Sequence, residues 1–151
     1  MKTVFQKLQF KGQNPILILH HPEEFNQHLI NLADIKIDTD LDDQQYNFVL
    51  IFVMDEDQIK TAIQQIHPHL KEDATLWFAY PKKSSKKYQV KISRNIGWKS
   101  LGNFDYEVVS QIAIDEDWSA LRFRKATLIK SLKRNPKMAL SKEGKNRTAQ
   151  N

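Results

Sequence analysis

Two groups of side chains along this 151-residue chain have the types and spacing to do chemistry. The first is His20-His21-Pro22-Glu23-Glu24, in which two imidazoles and two carboxylates lie within one short segment. Such a set can form a pocket for a polar ligand or a metal. The second is Lys82, Lys83, Lys86 and Lys87, interleaved with Ser84 and Ser85 and followed by Tyr88, Lys91 and Arg94. Converging ammonium groups and hydroxyls suit phosphate, sulfate or a nucleic-acid backbone. No acid interrupts the run from Ala74 to Phe104, so these cations have no local counter-charge.

Each group also has a plainer reading. One histidine of the pair can be buried and hydrogen-bonded while the other caps the following helix, and the lysines can be a solvated loop kept extended by repulsion. His67 and His69 straddle Pro68 at a spacing that matches no helical zinc site. They are expected to close a helix, where a cationic imidazole suits the negative end of the dipole. Ser84-Ser85 comes with no local base and no Gly-x-Ser-x-Gly turn, so it carries no nucleophile. Trp77 and Trp118 lie in strand-like runs and read as core, whereas Trp98, within Gly97-Trp98-Lys99-Ser100, reads as exposed. Ser119 reads as a hairpin-start residue bonded to its turn. The absence of cysteine removes disulfides, thiolate nucleophiles and Cys-ligated zinc or iron–sulfur sites, and it suits a reducing compartment such as the cytoplasm. The sequence therefore assigns no catalytic residue, no metal and no cofactor.

The elements that must position these groups follow from periodicity. Pro15 to His20 is a continuous apolar run, the pattern of a strand buried on both faces. Pro22 with Glu23 and Glu24 then reads as a helix start, with Phe25, Leu29, Ile30 and Leu32 as its apolar face. Ile35 and Ile37 alternate as a brief second strand before an acidic loop holding Asp38, Asp40, Asp42 and Asp43. Phe48 to Val53 is the strongest strand. Asp55 to Asp57 cap a helix whose apolar positions Ile59, Ala62, Ile63, Ile66 and Leu70 keep helical spacing. Ala74 to Tyr80 is a third buried strand stopped by Pro81. A helix is expected over Tyr88 to Leu101, ended by Gly102. Tyr106 to Ile114 and Trp118 to Arg124 are strands joined by the polar turn Asp115-Glu116-Asp117, and they should pair antiparallel. The predicted fold is a reduced Rossmann-like three-layer α/β sandwich, mostly parallel with a C-terminal antiparallel hairpin.

Charge divides the chain. Residues 125–151 carry eight Lys or Arg against one Glu, a net +7, while residues 1–124 carry 15 basic and 17 acidic side chains, a net −2. The basic pI thus belongs to the tail, and residues 1–124 are the expected domain. The tail is too poor in apolar residues to fold alone. Lys133, Arg134 and Lys137 make it a candidate tether for nucleic acid or an acidic protein. No apolar run approaches the roughly 20 residues of a membrane span, and no signal segment is evident at Met1 to Leu8, so a soluble protein is expected.

Tyr46 to Val53 followed by Leu70-Lys-Glu-Asp-Ala-Thr-Leu-Trp-Phe78, together with the closing hairpin, resembles the second half of class I S-adenosylmethionine-dependent methyltransferases. In those enzymes a buried strand, a helix, a turn of the type Leu-Lys-Pro-Gly-Gly and another buried strand precede an antiparallel hairpin. Leu76-Trp-Phe-Ala-Tyr-Pro-Lys-Lys83 and Asp115-Glu-Asp-Trp-Ser-Ala-Leu-Arg-Phe123 look like the motifs of a small bacterial family of unassigned function. The resemblance spans most of Phe5 to Lys125 and implies a fold more than an activity. It implies a glycine-rich turn after the first strand, where this chain has His20-His21-Pro22. It also implies an acid on ribose hydroxyls at the second strand's end, where Asp38 or Asp40 falls. The expectation is a non-catalytic binding or interaction protein on a degenerate methyltransferase-like scaffold, with a candidate ligand rim of His20, His21, Glu23, Lys82 and Lys83. Lys86, Lys87, Lys91 and Arg94 are candidate anion contacts beside it. Two alternatives are a cofactor-binding remnant of the methyltransferase type and a nucleic-acid-associated protein tethered by its tail.

Overall fold

A computed structural model describes residues 2–89 and 91–129. The first element is α1 (Val4–Lys7), a single turn fixed by reciprocal bonds in which Gln6 N–H donates to Thr3 Oγ1 and Thr3 N–H to Gln6 Oε1. There follow β1 (Ile16–Leu19), β2 (Ile37–Asp38), β3 (Tyr46–Phe52), α2 (Glu56–Ile66), β4 (Leu70–Pro81), α3 (Lys99–Gly102), β5 (Tyr106–Ala113) and β6 (Trp118–Lys125). The strands form one six-stranded sheet in the order β2-β1-β3-β4-β6-β5. β2, β1, β3 and β4 are parallel, and β6 docks antiparallel on both β4 and β5. This is the Rossmann-like arrangement expected from the sequence.

The strand pattern explains the layers. In β1, β3 and β4 successive side chains point to opposite faces and both sets are apolar, so each face must be covered. Leu17, Leu19, Val49, Ile51, Leu76 and Phe78 pack under α2, through Ile59, Ile63 and Ile66, and under Trp98 and Leu101. Ile16, Ile18, Phe48, Leu50 and Trp77 pack against Val4, Phe5 and Leu8 of the N-terminal turn and against Phe25 and Leu32. Trp77 Nε1–H donates to the Leu8 carbonyl at 2.8 Å, which ties the N-terminus across the second face.

Several expectations change. The segment after Pro22 is two 3₁₀ turns, Glu23–His28 and Ile30–Leu32, rather than an α-helix. Its backbone bonds skip three residues, as in Phe25 N–H to Pro22 O and Leu32 N–H to Leu29 O. Local side-chain bonds such as Gln27 Nε2–H to the Glu24 carbonyl compete with helix bonding there. Ile30, expected on the apolar face, is 74% exposed. β4 begins at Leu70, earlier than the apolar run indicates, because polar Lys71 to Asp73 continue the pairing past a bulge opposite Tyr46.

Among the described residues, the helix expected over Tyr88 to Leu101 is absent apart from α3. Ser93 and Ile96 instead exchange backbone bonds in a tight turn, and Gly97 takes φ +109°. A Cβ at Gly97 would lie 2.5 Å from Ile92 Cγ2, so glycine is required there by both conformation and space. Trp98, expected to be exposed, is only 2% exposed and packs between Phe78, Tyr80 and Phe123. Its indole N–H is satisfied by the Ser93 carbonyl at 2.6 Å. No helix among the described residues is long and apolar enough to cross a membrane.

Leu50 is fully buried under the N-terminal turn and the 3₁₀ segment, so Leu50→Ala is expected to cost about 2–5 kcal/mol in urea denaturation. Ile30→Ala should stay within about 0.5 kcal/mol of the parent, as an exposed position outside any cluster does.

Candidate functional site

The connections from β1 lead to β2 on one side, while β3 and β4 lie on the other. In an open α/β sheet the loops at such a point diverge and leave a crevice outside the carboxyl ends of the strands. A cleft of about 540 Å³ lies there, a volume suited to a small organic ligand. His20 and Pro22 enter it from the end of β1, Met54 and Asp55 from the end of β3, and Tyr88 and Trp118 form its aromatic wall.

His20 takes φ +61°, the left-handed region. Glycine adopts that conformation freely, whereas histidine does so at a cost of about 1 kcal/mol. The chain therefore leaves β1 through a left-handed residue that is not glycine. Its imidazole is exposed rather than buried, and neighbouring His21 is half-buried with a ring nitrogen 2.8 Å from Asn26 Oδ1. The plainer reading of the pair, one buried and one capping, does not hold. Across the cleft Asp55 Oδ1 accepts from Gln58 N–H at 2.9 Å and Gln58 Oε1 accepts from Met54 N–H at 2.7 Å. This reciprocal cap fixes the start of α2 and aims both side chains at the strand end. Trp118 is 3% exposed, with its ring centroid 5.0 Å from Phe52 and 4.9 Å from Tyr88. Its buried indole N–H makes no hydrogen bond among the described residues.

A short strap fastens the basic loop over this wall. Tyr88 Oη–H donates to Glu24 Oε1 at 2.6 Å, and Lys87 Nζ lies 3.2 Å from Glu24 Oε2. Ser85 Oγ–H donates to Asp117 Oδ1 at 2.8 Å while accepting from the Tyr88 and Lys87 amides. Ser85 thus holds the turn together. The Tyr88 bond, against a smaller opposing effect of burial and helped by Lys87, holds the Glu24 carboxyl down at about 2. Burial first and Glu24 second push the Tyr88 phenol up.

Asp38, one of the acids placed at the end of the second strand, is already engaged. Tyr46 Oη–H donates to Asp38 Oδ2 at 2.5 Å, Gln44 Nε2–H donates to the same oxygen at 2.7 Å, and Lys36 lies 3.6 Å from Oδ1. Burial, then this carboxylate, push the Tyr46 phenol up to about 12. The cleft includes neither Asp38 nor exposed Asp40.

The rim read from the sequence is divided. His20 lines the cleft, Glu23 is exposed outside it, and Glu24 takes the strap bonds. Lys82 and Lys83 line a separate concavity with Arg94, while Lys86 and Lys91 are exposed. Lys133, Arg134 and Lys137 lie outside the described residues. His67 does close α2, but burial and then Lys125 lower its pKa, and its buried Nδ1 makes no hydrogen bond. Both effects work against the cationic role expected at that helix end. His69 Nδ1 is 2.9 Å from the Gln44 carbonyl. Among the described residues no cluster of three or more His, Asp or Glu side chains could hold a metal ion. Asp55, Gln58 and Met54 are the contributors that sequence reasoning missed as site residues. Their signal was an acid immediately beyond a buried strand, read only as a cap.

No family model matches the chain, and no curated protein matches it. Solved structures do. N-methyltransferase NodS from Bradyrhizobium japonicum WM9 is 12% identical with a TM-score of 0.52, covering 80% of this chain and 92% of that one. The CcbJ methyltransferase from Streptomyces caelestis is 9% identical with a TM-score of 0.50, covering 81% and 93%. The glycopeptide N-methyltransferase MtfA, solved with sinefungin, is 8% identical with a TM-score of 0.51, covering 80% and 90%. The fold is therefore that of the class I methyltransferases, and at such identities the likeness is one of fold alone.

The strap gives a pH signature. The folded Glu24 carboxyl titrates at about 2 against an ordinary 4.5, so its contribution to stability is complete above pH 4.5 and fades as pH falls toward 2. Tyr88→Phe is expected to cost about 1 kcal/mol at pH 7. In urea titrations the gap between parent and Glu24→Gln should close over that acid window, and a gap constant down to pH 2 would refute the strap.

Proposed function

We propose that the chain is a non-catalytic binding protein on a methyltransferase-like scaffold, whose strand-end cleft takes a small ligand with a flat face and a neutral or cationic charge. The observation that carries this is the open cleft itself, walled by Trp118 and Tyr88 and edged by Asp55 and Asp57, with exposed His20 the one basic side chain lining it among the described residues. Aromatic faces favour flat or cationic groups, and the carboxylates disfavour anions. The means of holding S-adenosylmethionine in the usual way are replaced. A histidine stands in the glycine turn, and the acid at the end of β2 is occupied by Tyr46 and Gln44.

A second reading, a cofactor-binding remnant, is favoured by the left-handed bend at His20, which keeps the shape of the turn. Calorimetry of the full chain with S-adenosylmethionine and S-adenosylhomocysteine separates the two. No saturable heat is expected with either. Saturable binding near micromolar affinity that His20→Ala abolishes would replace the first reading with the second.

The division into a domain over residues 1–124 and a basic tail over 125–151 remains part of the proposal, with one refinement. β6 runs through Lys125, and Ala126 is buried with its amide donating to the Asp105 carbonyl at 2.8 Å. A deletion that tests tethering to nucleic acid should therefore start at Lys130. If the tail binds RNA or DNA, this deletion removes retention on immobilised nucleic acid and its salt dependence; retention that survives it refutes the tether.

A further inference from the structure

The carboxyl end of β4 and the amino end of β6 meet edge to edge, with Tyr80 paired to Ser119 and Pro81 to Trp118. Side chains alternate across the sheet, so Trp118 and Ser119 point to opposite faces. Trp118 walls the cleft described above, and Ser119 opens into a second concavity of about 300 Å³. Its floor is Tyr80, 4% exposed, Ser119, 7% exposed, and Ile92, 2% exposed. Its rim is Lys82, Lys83 and Arg94.

The charge at this rim is uncompensated. Among the described residues no carboxylate lines the concavity and none of the three cations makes an ion pair. Asp117, whose carbonyl accepts from the Lys82 amide at 2.8 Å, gives its carboxylate to Ser85 and lies outside the lining. Lys87, by contrast, is neutralised by Glu24. Neutral donors converge on the same place. Gln111 Nε2–H donates to Tyr80 Oη at 3.2 Å, and the Arg94 guanidinium and Ser119 hydroxyl both act on that phenol strongly enough to offset part of the effect of its burial. Arg94 is also steadied by Nη1–H donation to Asn95 Oδ1 at 3.3 Å.

We propose that this concavity is an anion site that binds the phosphate group of a small phosphorylated ligand, with Arg94 and Lys83 as the charged donors and the Tyr80 and Ser119 hydroxyls at its floor. A guanidinium fork beside ammonium groups and hydroxyls matches the tetrahedral, multiply accepting oxygens of phosphate. The volume exceeds that of one phosphate, and apolar Ile92 can take up part of a small organic body. This site stands independently of the ligand proposed for the cleft.

The test is calorimetric titration of the full chain with pyrophosphate at low salt, with sodium sulfate at equal ionic strength as the reference. One saturable site is expected, weakened about tenfold by Arg94→Gln and by Lys83→Gln. Lys99→Gln, in the same basic run but outside the concavity, should leave it unchanged. Circular dichroism verifies that each variant is folded. Three results would overturn the proposal: no saturable binding up to about 10 mM, equal loss in all three variants, or binding that Arg94→Gln does not alter, as expected if the tail alone retained the ion. A single-stranded RNA that bound through Arg94 and Lys83 without competition from pyrophosphate would also overturn it, in favour of a nucleic-acid surface.

Discussion

The antiparallel docking of β6 on β4 is the constraint on which the rest of the molecule depends. β4 takes β3 in parallel on one side and β6 in reverse on the other. The parallel half of the sheet brings its carboxyl ends to one rim, as any doubly-wound sheet must. The reversed β6 brings its amino end to that same rim. Trp118 and Ser119 therefore arrive beside His20, Met54 and Tyr80 from the far end of the domain, and both concavities exist because of that reversal. Pro81 can sit in this pairing because it falls at the last position of β4, where a missing N–H costs least.

The two apolar layers follow from the same arrangement. With β1, β3 and β4 buried on both sides, cover must come from different stretches of chain: α2 and the Trp98 region on one face, the N-terminal turn and the 3₁₀ segment on the other. One cover is a regular helix and the other is piecemeal. The irregular side leans on specific fastenings instead, such as the Trp77 bond to Leu8 and the Tyr88 strap on Glu24. The sheet and α2 thus carry the methyltransferase-like fold, and the second layer is built of short turns.

Much of this was legible in the sequence where periodicity was strong. Phe48 to Val53 and Ala74 to Tyr80 have no polar interruption, and Ile59, Ile63 and Ile66 keep helical spacing, so burial alone dictated their form. The segment from Tyr88 to Leu101 misled because its apolar residues Ile92, Trp98 and Leu101 are anchors of a loop and not a helical face; the decisive feature was Gly97, whose φ and missing Cβ a pattern of hydrophobicity does not record. The candidate site was half-legible. His20 at a strand end could be located, but its partners Asp55, Gln58 and Trp118 are distant in sequence and become neighbours only through sheet order. Nor could the sequence reveal that Asp38, one of the two acids that the resemblance put at the end of the second strand, is already hydrogen-bonded to Tyr46 and Gln44.

The far end of the β4–β6 ladder has its own closure. Arg124 donates from Nε and Nη2 to the two carboxylate oxygens of Asp73 at 2.8 and 2.7 Å, a forked pair at the edge of the sheet. Pro81 with Trp118 closes the opposite end. Fraying, which usually enters a hairpin or ladder from an open end, has no entrance at either. The amide protons between these ends, in the two strands at the middle of the β3-β4-β6-β5 stretch, are expected to exchange with solvent mainly through large-scale opening of the domain. The ladder that creates the rim is by the same geometry the slowest part of the molecule to come apart.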